Sequence, residues 1–89
     1  MANFMGGSAP AMASQIMEGY ILMSSSTIKG YTPGELTLLR AELEKLQRDV
    51  RAIVPAQDDA MANQARNRKI GRISSALQVI GNAQAVRHH

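Results

Sequence analysis

Eighteen residues constrain this chain more than all the others. From Leu36 to Ile53, the apolar residues Leu36, Leu39, Leu43, Leu46, Val50 and Ile53 recur at alternating spacings of three and four. That pattern is a stripe along one side of a helix, and it must be buried against something of similar shape. The start of the helix is written into Thr32-Pro33-Gly34-Glu35. Thr is a good N-cap, Pro is pre-set for the first helical position, and Glu three residues after the Thr completes a capping box. The end lies at Val54-Pro55, because proline disfavours helical geometry in the residue before it.

Ala56-Gln57 then reads as a turn, with Asp58 as N-cap and Asp59 favouring the start of the next helix dipole. The next helix runs from Asp59 to about Ile80. Gly81-Asn82 offers a stop, although the pattern can continue to Val86. A short turn between two long helices predicts an antiparallel hairpin. With the turn centred near 56–57, facing residues should have numbers summing to about 113. Leu43 then meets Ile70, Leu39 meets Ile73 and Leu36 meets Leu77. Nearer the turn, Leu46 faces Arg66 and Val50 faces Ala62 or Asn63, so Leu46 and Val50 are expected to be left half covered and to meet a partner. Leu38, Val54, Ala76 and Val79 are further apolar positions off the seam. Glu44 with Arg48, Lys45 with Asp49, and Glu42 with Lys45 can form ion pairs along a solvated face.

Upstream, residues 1–9 form a Gly-rich arm that carries Phe4 and Met5. Residues 10–24 predict a first helix, begun by Ser8 or Ala9 with Pro10 in its first turn. Ala13, Ile16, Tyr20 and Met23 share one side of it, and Gly19 weakens it by about 1 kcal/mol. This helix is nearly uncharged, which suits burial between other elements. Residues 25–32 read as a Ser/Gly linker, residues 33–86 as the hairpin, and 87–89 as a tail. His88 and His89 resemble the start of a purification tag.

Composition narrows the function classes. The chain has 89 residues, no cysteine and only three aromatic residues. So short a chain buries about two thirds of its unfolded surface, and its core must come from Leu, Ile, Val, Met and Ala. Disulfides and thiolate metal sites are excluded. Neither a membrane span nor a secretory leader is apparent, so an intracellular, cytoplasmic setting is expected. No Ser, Thr or Lys has an activating base, and no histidine lies inside the fold, so no catalytic residue, cofactor or metal site is expected.

Charge is polarised. Residues 1–59 hold five Lys/Arg and seven Asp/Glu, whereas residues 60–89 hold five Lys/Arg and no acid. Arg66, Arg68, Lys69 and Arg72 form a basic strip, with Arg68 and Arg72 on one face. The plainer reading is intramolecular salt bridges, with Arg66 on Glu42 or Asp49. An acidic protein surface or nucleic acid are the alternatives. The strip has no interleaved aromatics, so base stacking is not on offer. Beside it, Gly71, Ser74, Ser75 and Ala76 make the helix slim enough for another helix to approach closely, unless the glycine is merely tolerated.

The expectation is an all-α fold, a short N-terminal helix plus a long antiparallel hairpin, in a three-helix or coiled-coil-like bundle completed by other chains. The expected role is a non-enzymatic helical subunit or adaptor, with Leu46, Val50, Arg66, Arg68, Lys69 and Arg72 at the partner surface. A nucleic-acid-binding accessory protein and a subunit of a helical homopolymer or secretion-type filament are the alternatives.

Overall fold

The computed structural model describes residues 8–87. Four helices follow in order: α1 (Ala9–Glu18), α2 (Ser25–Ile28), α3 (Pro33–Ala52) and α4 (Ala60–Arg87). The fold is all-α, with the hairpin of α3 and α4 as its frame and α1 laid across both. The expected roles of Phe4, Met5, His88 and His89 lie outside the described residues.

α1 starts as its sequence predicts. Ser8 caps it, its Oγ accepting from the Ala11 N–H at 3.3 Å, and Pro10 sits in the first turn. It stops six residues earlier than the pattern predicts. Gly19 takes a left-handed φ of 89°, its N–H donates to the Ile16 carbonyl, and the Tyr20 N–H donates to the Gln15 carbonyl. These two bonds make a Schellman motif, the usual helix stop at glycine. Gly19 therefore ends the helix rather than merely weakening it. Tyr20 falls off the apolar side and is 81% exposed, whereas Met23 is buried from the following segment.

The linker is also more ordered than its composition predicts. Ser24 caps the short α2, accepting from the Thr27 N–H at 3.4 Å, and α2 buries Ile28. Tyr31 is buried as well. Its hydroxyl lies 3.5 Å from the Met12 sulfur and so ties the entry of α3 to α1.

α3 begins as written in the sequence. The Glu35 N–H donates to Thr32 Oγ1 at 3.2 Å, and the Thr32 N–H donates to Glu35 Oε1 at 2.8 Å. Leu36, Leu39 and Leu43 are fully buried. Of the side-chain ion pairs along α3, the structure shows Arg40 with Glu44 at 3.9 Å instead of the three expected ones. Both partners are about half exposed, so the pair contributes little.

The turn is longer than expected and its cap falls one residue later. Asp59, not Asp58, caps α4, accepting from the Ala62 N–H at 3.0 Å. Asn63 Nδ2 donates to the carbonyls of Ala56 and Asp59 at 3.0 and 2.9 Å and so closes the loop. The register shifts with it. Gln47 donates to Ser74, and Gln84 donates to Thr37; the numbers of each pair sum to 121 rather than 113. By that register Leu39 falls between the levels of Ile80 and Ala83, and Leu43 between those of Ala76 and Val79. Accordingly the buried stripe of α4 is Ile73, Ala76 and Ile80, while Ile70 and Leu77 are half-buried.

α4 runs through both of its glycines to Arg87. A Cβ at Gly71 or Gly81 would meet nothing within 4 Å. Gly71→Ala and Gly81→Ala are each expected to stabilise the fold by about 0.5–1 kcal/mol. A urea titration with an unchanged slope and a higher midpoint is the check.

Candidate docking surface at the hairpin tip

The basic strip is largely spent inside the molecule. Arg66 is half-buried at the C-terminal end of α3. Its Nε donates to the carbonyls of Val50 and Ile53 at 3.3 and 3.0 Å, and its Nη2 donates to that of Arg51 at 3.1 Å. It meets neither Glu42 nor Asp49, because the shifted register brings it to the open carbonyls that end a helix. A cation is favoured there by both hydrogen bonding and the helix dipole. Arg72 serves α1 in the same way, Nη1 donating to the Met17 carbonyl at 3.2 Å. Lys69 pairs with Glu18 at 3.5 Å, both side chains being more than a third exposed. Arg68 alone has no hydrogen-bond or ion-pair partner among the described residues, and it is exposed.

α1 thus ends where Lys69 and Arg72 hold it. Ten residues of helix span about 15 Å, whereas the 28 residues of α4 span about 42 Å. The groove between α3 and α4 therefore runs on past the end of α1. Along α4, the buried stripe Ile73, Ala76 and Ile80 continues at the same spacing through Lys69, Arg66 and Ala62. Along α3, the seam continues through Leu46, Val50 and Ile53.

Leu46 and Val50 are half covered, as the sequence predicts, and pack against the core. The open apolar surface lies one turn further out. Ile53, Val54 and Met61 are 72%, 75% and 82% exposed. Beside them is a groove of about 250 Å³ lined by Val50, Ile53, Ala62, Ala65, Arg66 and Lys69. Of the spare apolar positions in the sequence, Ala76 belongs to the core and Val79 packs against it, whereas Leu38 and Val54 are exposed. Met61, at the start of a weakly patterned helix, gave no sequence signal of its own.

Among the described residues no cluster of three metal-ligating side chains occurs, and no helix is long and apolar enough to cross a membrane. No family model matches the chain, and neither a curated protein nor a solved structure is similar enough to count as a match.

Proposed function

We propose that this chain is a non-enzymatic helical subunit or adaptor, joined to a larger protein assembly by helix–helix packing at the hairpin tip. The observation that carries the proposal is the exposure of Ile53, Val54 and Met61 on the two sides of the hairpin turn, with Ile53 also lining the groove beside Val50. Three large apolar side chains at one end of a 47 Å molecule are unlike the scattered single residues of an ordinary surface. Packing against Val50 from this side would complete its burial. The nucleic-acid reading of the basic strip is less well supported, since Arg66, Lys69 and Arg72 are engaged within the chain.

A photo-crosslinking residue at Val54, in the chain produced in its own cells, tests the proposal. A protein adduct is expected from Val54 and not from Lys45, which lies on the exposed charged side of α3. An adduct between two copies of the chain would favour the filament reading. Equal labelling from both positions, or none from Val54, would overturn the proposal.

A further inference from the structure

We infer that the tip groove receives an amphipathic helix of a different protein, one whose apolar stripe is flanked by carboxylates. This rests on the reading of the tip as a docking surface and names its occupant. Three observations carry it. The groove is walled by the two antiparallel helices that hold α1 further up, and its residues continue the same seam, so its shape suits a helix lying end to end with α1. Among the described residues its charged lining is Arg66 and Lys69. Arg66 is held by the carbonyls that end α3, whereas the Lys69–Glu18 pair is more than a third exposed, so Lys69 is the cation that can turn to a partner's carboxylate. Finally, α1 itself shows what the groove accepts. It is a short helix that buries Met12, Ala13 and Ile16 and presents one carboxylate, Glu18, to Lys69 at 3.5 Å.

A second copy of this chain is a poorer match. Among the described residues, none of its helices has an apolar stripe to spare. α1 buries its own, α3 leaves only Leu38 exposed, and α4 leaves only Met61. The tip loop could offer Ile53 and Val54, but a two-fold pairing of tips would also bring Arg66 and Lys69 of both copies together.

The test uses two designed peptides with the same leucine stripe at three-four spacing, one flanked by Glu and its twin flanked by Lys. Fluorescence anisotropy against the whole chain is expected to show the Glu peptide binding at least tenfold more tightly than its twin, with affinity falling as salt is raised. Ile53→Ser with Met61→Ser is expected to weaken binding at least tenfold, and Lys69→Gln severalfold. Helical circular dichroism and the thermal midpoint of each variant confirm that it folds. Equal binding of both peptides would overturn the inference, as would binding that ignores the substitutions. So would a self-association, abolished by Ile53→Ser, in a chain that binds neither peptide. If neither peptide binds while Val54 still forms its adduct, the occupant proposed here is wrong and the docking surface stands.

Discussion

Leu39→Ala is expected to lower the thermal midpoint by about 12–24 °C, an effect shared by truncation of the equally buried Leu36 or Leu43. Leu39, on α3, is fully buried in a core that also takes Met12, Ala13 and Ile16 from α1 and Ile73, Ala76 and Ile80 from α4. Removing its isobutyl group forfeits the transfer free energy and leaves a cavity, about 3 kcal/mol in all. In a domain of this size each kcal/mol moves the midpoint by about 4–8 °C. Leu38→Ala, one residue away on the exposed side, is expected to change stability by less than about 0.5 kcal/mol. Differential scanning calorimetry on both variants is the check. Similar losses from the two would mean that the buried stripe of α3 is not the one described.

That stripe was legible because two independent signals agreed on it. The capping box at Thr32 and Glu35 fixed where α3 begins, and the leucine spacing fixed which side is buried. The register of the hairpin was not legible, and the reason is periodicity. Both seams repeat every seven residues, so sliding one helix along the other by a heptad restores an equally apolar match. Hydrophobic pattern alone therefore cannot distinguish pairs summing to 113 from pairs near 120. The loop decides, and its closure by Asn63 and Asp59 depends on contacts that no periodicity reveals.

The candidate site was legible in part. In the expected register Leu46 and Val50 faced polar residues and were left half covered, as they are in the structure, but the most exposed apolar side chains near the turn are Ile53, Val54 and Met61. The basic residues were visible in the sequence, but their partners were not. Arg66 and Arg72 are bound by backbone carbonyls at helix ends, which carry no sequence signature. Where α1 ends, and hence what Arg72 reaches, is set by a single glycine.

Gly19→Ala is expected to cost about 2–3 kcal/mol, more than any other exposed position, and a double-mutant cycle divides that cost. Part is local. At φ 89° an alanine Cβ meets the carbonyl that follows, which costs about 1–2 kcal/mol. The rest belongs to Arg72. A Cβ on Gly19 would lie 2.9 Å from the Arg72 guanidinium carbon and 3.1 Å from Nε. That side chain must swing away and give up the Met17 carbonyl at the end of α1. Arg72→Ala alone loses only this partly solvated bond, about 1 kcal/mol. In the Arg72→Ala background the cost of alanine at position 19 should therefore fall to the backbone strain alone, a coupling of about 1 kcal/mol by urea denaturation. Additivity to within about 0.3 kcal/mol would show that Arg72 does not rest on Gly19. α1 would then be held against the hairpin by Met12, Ala13 and Ile16 without its C-terminal clasp.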